Sequence, residues 1–352
     1  MKNTDYFAER NLKNSNQLKV MLISLPSFCD EYFRGIENKT TPLTRLGYAN
    51  DLKTFFEFLV QEIDGFVGKK IKDITLEDLN NITQTDLEIY LNYLSNYKKN
   101  GEQFSNDARA KARKLSAVRS LFRYFYRKDK LRQNVTTKID TPKIRDKEII
   151  RLEVDEVVKL LDTAEHPKDF SKRQQSYNKL TRTRDIAILT LLLGTGIRVS
   201  ECVGLNVEDI DFETNGFKIT RKGGAQTILY FSDEVSTALQ NYLDERLNNE
   251  FVSPNEHALF LSIQNKRIGV RAVEQLVKKY SQECIPLKHI TPHKLRSTYG
   301  TNLYRETGDI YIVADVLGHR DVNTTKKHYA AISEDARRRV ANVVKLRDND
   351  EN

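Results

Sequence analysis

The chain has 352 residues, with 57 lysines and arginines against 49 aspartates and glutamates, a net charge of +8 and an isoelectric point near 9.1. At about 100–200 residues per domain, this length predicts two domains. An apolar fraction of 39% argues against a disordered chain, and no run approaches the roughly 18 apolar residues of a membrane-spanning helix. The N-terminal segment lacks the apolar region of a secretory signal, and the three cysteines form no CxxC pair. We therefore expect a cytoplasmic protein without disulfides or structural zinc, and no membrane partner.

The first half of the chain has the hydrophobic spacing of helices. The third predicted helix contains two start signals, Thr75 followed by Asp78 and Thr85 followed by Glu88, so it could be two helices. No alternating β pattern interrupts this half, and the helices are expected to pack as a compact bundle. The predicted helices cover residues 18–36, 43–63, 76–98 and 105–132.

The basic excess is concentrated in one stretch. Residues 101–148 carry 14 basic and 6 acidic side chains, a net charge of +8 that equals the charge of the whole chain. The helix predicted at 105–132 has an apolar stripe and many cations elsewhere, which favours binding of a phosphate backbone over an ordinary solvated surface. The candidate DNA-binding residues are Arg109, Arg113, Lys114, Arg119, Arg123 and Arg127.

The rest of the chain is mixed in character. Residues 136–150 are charged and have no hydrophobic period, so we interpret them as a linker between a helical domain at 1–135 and a second domain at 151–352. Residues 166–183 are polar and basic and are predicted to be a loop or a mobile insertion. A small antiparallel sheet is predicted from runs at 210–212, 217–220 and 227–231. Helices are predicted at 152–164, 185–193, 235–247, 270–282, 295–307, 310–317 and 333–345.

Four short segments of the second half carry residues suited to phosphate chemistry. They are GTGIRVSE at 194–201, RKGG at 221–224, HKLR at 293–296, and GHRD at 318–321 with a tyrosine downstream. Each segment by itself has an ordinary structural explanation, such as a helix cap or a solvated hairpin. Together they supply arginines to bind phosphate oxygens, histidines to exchange protons and a tyrosine nucleophile. The candidate catalytic residues are Arg198, Lys222, His293, Arg296, His319 and Tyr329.

In this order, the motifs resemble those of the tyrosine recombinases, also called the phage-integrase family. The resemblance covers about residues 18–345 and is strongest from Arg184 to Tyr329. The layout is similar to the Xer-type enzymes, particularly the kind that acts without a paralogous partner. The resemblance implies a mainly α fold with a small antiparallel β-sheet: a helical core-binding domain and a mixed α+β catalytic domain.

The family's roles transfer to the matching positions. The resemblance implies that Arg198 and Arg296 clamp the scissile phosphate and that Lys222 protonates the leaving 5′-oxygen. It further implies that His293 assists proton transfer, that His319 hydrogen-bonds the phosphate, and that Tyr329 attacks to give a 3′-phosphotyrosyl link. No metal and no other cofactor is implied. The implied partner is a double-stranded DNA recombination site, with a homotetramer holding two such sites.

Some alternatives stay open at this point. Tyr329 lies ten residues after His319, where nine is the commonest spacing in the family, so Tyr311 and Tyr304 are further candidates for the nucleophile. The biological role could be chromosome-dimer resolution or integration of a mobile element. Fewer than about 20 residues precede the first predicted helix, which favours the simpler Xer type. A DNA-binding regulator that has lost catalysis is the alternative of another class, and such a protein would not need Tyr329.

Overall fold

The structure is a computed structural model that describes residues 6–99, 101–144, 150–167, 170–221, 224–319 and 322. The chain divides between residues 147 and 148 into two compact units, each with its own contacts. The described residues are mainly helical with two small antiparallel sheets, which confirms the predicted fold class. Among the helices of this described part, none combines the length and the apolar character needed to span a bilayer.

The first unit is a helical bundle around an aromatic core. Phe55, Phe56 and Phe125 are fully buried in it, and Phe28 packs edge-on against both Phe56 and Phe125. Such edge-to-face packing adds to the free energy gained by burying the rings. Its elements are α1 (Tyr6–Leu22), α2 (Phe28–Gly35), α3 (Pro42–Glu62), α4 (Leu76–Asn80), α5 (Gln84–Tyr93), β1 (Tyr97–Lys99), β2 (Glu102–Phe104) and α6 (Ala108–Tyr126).

The predicted helix at 18–36 is wrong in its extent. Two helices, α1 and α2, occupy this region, and α1 begins at Tyr6. Pro26 lies in the turn between them, where its missing N–H group and fixed φ interrupt a helix. The polar residues before Leu18 are helical because α1 packs along α3, an interaction that local polarity does not reveal.

The predicted helix at 76–98 is two helices, as its start signals suggested. Thr75 and Asp78 form a reciprocal capping box at α4. The second start is Thr83 with Asp86, so the assignment to Thr85 was wrong by two residues. The helix does not reach residue 98, because β1 pairs with β2 in a short hairpin that the sequence pattern did not predict.

The segment after α6 is anchored to the first unit. Residues Val135–Lys138 form a 3-10 turn, and Val135 and Ile139 are buried in the core of this unit. Arg119 of α6 donates to the carbonyl of Ile139 and to the hydroxyl of Thr141, the latter at 2.6 Å. The beginning of the predicted linker therefore packs on α6.

The second unit surrounds a long central helix with shorter helices and a three-stranded sheet. In the sheet, β4 lies between β3 and β5. Both pairings are antiparallel, which confirms the prediction of a small antiparallel sheet. Asn215, in the turn between β3 and β4, has φ +50°, a conformation that asparagine tolerates better than most residues. The elements are α7 (Val154–Glu165), α8 (Lys172–Thr195), α9 (Val199–Cys202), β3 (Ile210–Asp211), β4 (Gly216–Thr220), β5 (Gln226–Tyr230), α10 (Asp233–Leu247), α11 (Val270–Cys284), α12 (Pro292–Thr307) and α13 (Ile310–Leu317).

The prediction of a loop over 166–183 was wrong. Most of this segment is the N-terminal half of α8, which begins with a capping box between Ser171 and Gln174. Asp185 on α8 is almost fully buried and accepts a 2.9 Å hydrogen bond from the Tyr280 hydroxyl of α11. Asn178, two turns earlier on α8, accepts from the same hydroxyl at 2.9 Å. The first half of α8 has little hydrophobic periodicity, and these long-range polar contacts stabilise it as a helix.

Candidate active site and basic helix

The C-terminal end of α13 is the point where three of the predicted catalytic residues, Arg198, Arg296 and His319, meet. The helix ends at Gly318, whose φ of +62° is the left-handed conformation of a helix C-cap. The backbone N–H of His319 donates to the carbonyl of Ala314 at 2.9 Å, which closes the turn. The last carbonyls of a helix have no partners within it and carry partial negative charge, so cations are stabilised there.

Arg296 reaches this helix end from α12. It lies one turn after the Pro292 that begins the helix, and it is 5% exposed. Its Nη1 donates to the carbonyl of Gly196 at 2.7 Å, and its Nη2 donates to the carbonyl of Leu317. Gly196 also has a left-handed φ of +62°, and a Cβ there would lie 2.4 Å from the Tyr299 ring. A glycine is therefore needed where the backbone approaches α12.

Arg198 reaches the same helix end from the start of α9. Its Nη2 donates to the carbonyl of Gly318 at 3.1 Å, and its Nη1 donates to Oε1 of Glu201 at 2.7 Å. Glu201 is 3% exposed, and its other oxygen accepts the Arg198 backbone N–H at 2.8 Å. This buried carboxylate holds the Arg198 guanidinium in place, so Glu201 supports the site without being a candidate for the reaction itself.

A third arginine, Arg221, joins the same helix end, although the sequence alone did not single it out. Its Nη2 donates to the carbonyls of Val316 at 2.9 Å and Asp315 at 3.3 Å. Partial burial lowers the pKa of Arg221; nearby Arg198 lowers it too, whereas Glu201 and Asp315 raise it. In the sequence, Arg221 is one more cation in a hairpin turn, and no local pattern marks it.

The two histidines lie at a helix start and a helix end: His293 at the start of α12 and His319 just after the end of α13. His319 directly follows Gly318, so it stands beside the carbonyls that hold Arg198 and Arg296. His293 is exposed in the first turn of α12, one helical turn before Arg296. The structure thus gathers Arg198, Arg296 and His319 at one point and puts His293 on the adjoining turn.

Two predicted catalytic residues, Lys222 and Tyr329, and the predicted helix at 333–345 lie outside the described residues. The alternative tyrosines are described. Tyr311 is 70% exposed in the first turn of α13, at the other end of that helix from Leu317. Tyr304 on α12 packs against the small apolar cluster of Val313 and Leu317.

The six cations predicted to bind DNA are all on α6 or its cap but have different surroundings. Lys114 is buried and lies 3.4 Å from the carboxylate of Asp51, which also accepts from Arg113. Burial raises the pKa of Asp51, although both cations oppose that shift. Arg119 donates to backbone and hydroxyl groups of residues 136–141. The exposed side chains, on one face of the helix, are those of Arg109, Arg113, Arg123 and Arg127.

Comparisons with known proteins identify the family of this chain. Residues 150–335 match the model of the phage integrase family, and residues 29–129 match the phage integrase N-terminal SAM-like domain. The tyrosine recombinase XerC of Caldanaerobacter subterraneus is 34% identical over 84% of this chain and 79% of its own length. The tyrosine recombinase XerS of Lactococcus lactis is 30% identical over 93% of this chain and 97% of its own.

Solved structures share the fold. The XerH site-specific recombinase, in a post-cleavage complex with a palindromic difH substrate, superposes with a TM-score of 0.60 at 19% identity and covers 97% of both chains. The chain therefore belongs to the phage integrase family, the tyrosine recombinases. Within that family it is a Xer-type recombinase, an enzyme of site-specific DNA recombination.

Proposed function

We propose that this recombinase cuts and rejoins double-stranded DNA through a covalent link between Tyr329 and a 3′-phosphate, with no metal ion and no nucleotide. The observation that carries the proposal is the meeting of Arg198 and Arg296 at the C-terminal end of α13, beside His319. Two guanidiniums at one point can bind both non-bridging oxygens of a phosphate and balance the charge that develops there. The protein's own cations then stabilise the transition state.

Each catalytic group has a role that its chemistry allows. The Tyr329 hydroxyl loses its proton, with His293 assisting, and its oxygen forms the new bond to phosphorus. The bond from phosphorus to the 5′-oxygen breaks, and Lys222 gives that oxygen a proton, which leaves a free 5′-hydroxyl. His319 donates to a phosphate oxygen. The phosphotyrosyl ester retains the energy of the original bond, so a 5′-hydroxyl from a second strand can reverse the step.

The surroundings of the other two tyrosines support Tyr329 as the nucleophile. Tyr311 is separated from Leu317 by six residues of α13, which is about 9 Å along the helix axis. Tyr304 contributes its ring to the apolar packing beneath α13. A tyrosine used for packing or placed at the far end of the helix is poorly suited to attack a phosphate held by Arg198 and Arg296.

The arginine stripe of α6, defined as Arg109, Arg113, Arg123 and Arg127, is proposed to contact the DNA backbone. These four guanidiniums are exposed on one face, with no acidic residue within α6. Backbone contacts of this kind supply affinity rather than sequence choice. The proposed domains are a core-binding domain at 1–135, a linker at 136–150 and a catalytic domain at 151–352.

The proposed biological role is resolution of chromosome dimers in the cytoplasm by a homotetramer that holds two DNA sites. The Xer-named relatives that match more than 80% of the chain support this role over mobile-element integration. The presence of all six catalytic residues supports an enzyme over an inactive DNA-binding regulator.

The chemistry can be tested by trapping the covalent intermediate in EDTA without nucleotide. Protein incubated with fragmented genomic DNA should become attached to specific fragments, whose sequencing yields a site for a nicked suicide duplex. Tyr329→Phe should abolish the adduct and leave DNA affinity within about twofold, since many phosphate contacts carry binding. Tyr311→Phe and Tyr304→Phe are the matched controls and should still form it. An adduct mapped to either control tyrosine, or activity that EDTA removes and magnesium restores, would refute the proposal.

A further inference from the structure

We infer that Arg221 is a positioning residue for the active site. It holds the C-terminal end of α13, and with it His319, in the place that phosphate binding requires. The inference rests on the proposed function, because it assumes that His319 acts on the scissile phosphate.

The contacts of Arg221 complete a cap made by three arginines. The carbonyls of residues 315 to 318 each accept from a guanidinium: Asp315 and Val316 from Arg221, Leu317 from Arg296 and Gly318 from Arg198. Arg198 and Arg296 are the two residues proposed to bind phosphate, so some of their N–H groups must donate to the DNA when it binds. Arg221 contacts the two carbonyls that precede theirs in the helix, which keeps the helix end held while the other two arginines engage the DNA.

The fit between Arg221 and Gly318 is close. A Cβ on Gly318 would lie 1.3 Å from Nη1 of Arg221, so the guanidinium rests against the backbone of the residue before His319. Burial lowers the pKa of Arg221, Glu201 raises it and Arg198 lowers it. The charge of Arg221 therefore interacts with the charges of Arg198 and Glu201.

The other end of Arg221 is fixed by the sheet. Its backbone N–H donates to the carbonyl of Ala225 at 2.8 Å, and its carbonyl accepts from Gly224 at 3.0 Å. This turn joins β4 to β5, and Phe217 and Ile219 of β4 are buried in the core. Arg221 therefore ties α13 to the end of the buried strand β4.

The hydrogen bonds of Arg221 fit this positioning role. Its Nη2 donates to two backbone carbonyls of α13, whereas Arg198 and Arg296 donate to one each. An error of about 1 Å in the placement of a group beside a reacting phosphate is enough to cost up to about 100-fold in rate.

A double-mutant cycle between Arg221 and His319 tests the inference. Single-turnover cleavage of the suicide duplex would be measured for wild type, Arg221→Ala, His319→Ala and the double variant, at a temperature where thermal unfolding shows each to be folded. Arg221→Ala should slow cleavage by about 10- to 100-fold with DNA affinity changed less than about threefold. In the His319→Ala background, the same change should cost less than about twofold, because the group it positions is already missing.

Lys218→Ala is the matched control. It removes one cation from β4, the strand that precedes Arg221. The Lys218 Nζ lies 3.5 Å from the Asp209 carboxylate, so cleavage should stay within about twofold of wild type. If the effects of Arg221→Ala and His319→Ala multiply in full, Arg221 acts independently of His319 and the inference is overturned while the proposed function stands. If wild type forms no adduct, or His319→Ala cleaves normally, the proposed function fails at that step and the inference falls with it.

Discussion

Arg198, Arg221 and Arg296 bring three positive charges to one helix end, and the backbone makes this possible. Like charges at close range repel, but the terminal carbonyls of α13 and the buried carboxylate of Glu201 offset that repulsion. This arrangement constrains residue 318, which must adopt a left-handed backbone conformation and leave room for the Arg221 guanidinium. Glycine is the residue that satisfies both conditions without strain.

Gly318→Ala should therefore slow DNA cleavage by more than its loss of stability explains. A left-handed alanine costs about 1–2 kcal/mol in free energy of unfolding, and the new methyl group would push Arg221 off its carbonyls. Gly308→Ala is the control, since Gly308 caps α12 with φ +66° and a Cβ there meets nothing within 4 Å. Thermal unfolding should show similar decreases for both variants, and only Gly318→Ala should slow cleavage, by about tenfold or more. Equal cleavage rates in the two variants would contradict this.

At the scale of the element, α6 has two functions on separate faces. One face packs Leu115, Phe122 and Phe125 into the core of the first unit. Around the rest of the helix, cations that looked equivalent in the sequence differ in role. Arg119 ties the 3-10 turn and the following residues to the helix, and Lys114 compensates the buried charge of Asp51. The arginine stripe remains for DNA, and within it Arg113 also donates to Asp51.

Replacing stripe arginines should weaken DNA binding, whereas replacing Arg119 should weaken the fold. The Arg123→Gln and Arg127→Gln double variant should reduce the slope of log affinity against log salt by about 0.9 for each phosphate that the protein no longer neutralises. Arg119→Gln removes one charge but also hydrogen bonds to buried carbonyls, and should lower the free energy of unfolding by about 1–3 kcal/mol. A salt titration and a denaturant titration separate the two effects. An unchanged slope in the double variant would remove the stripe from the DNA interface.

At the scale of the whole molecule, the proposed function assigns the reaction to a homotetramer that holds two DNA sites. The helix predicted at 333–345 follows the proposed nucleophile in the chain. Its sequence has Ala336, Val340, Val343 and Val344 at the spacing of an apolar stripe. The resemblance to the tyrosine recombinases implies that this tail docks on a neighbouring protomer. Such docking would couple assembly to the positioning of Tyr329.

Deleting residues 333–352 should spare binding to a single DNA site and impair assembly of two sites. Sedimentation of protein with the recombination site should give a tetramer with two duplexes for the full chain and smaller complexes for the deletion. A shorter deletion of 346–352, beyond the predicted helix, is the control and should assemble normally. Tetramer formation and normal recombination by the 333–352 deletion would show that the tail does not act between protomers.

Local patterns predicted much of the fold. The helices at 43–63, 235–247 and 310–317 and the small antiparallel sheet could be predicted, because caps, apolar spacing and turn residues relate positions a few residues apart. The capping box at Thr75 is such a case. The hairpin at 97–104 was missed because its strands have three residues each, too few to establish an alternating pattern.

The sequence by itself determined the class of this protein, because six reactive residues in a fixed order specify a chemistry whatever the details of packing. Only the tertiary structure decided which charges serve that chemistry. Lys114 and Arg119 differ from Arg123 through partners far along the chain, and the first half of α8 is helical through its contacts with Tyr280. Arg221 contacts carbonyls 94 and 95 residues away. Such contacts depend on how distant segments meet in the fold, and no pattern of neighbouring residues encodes them.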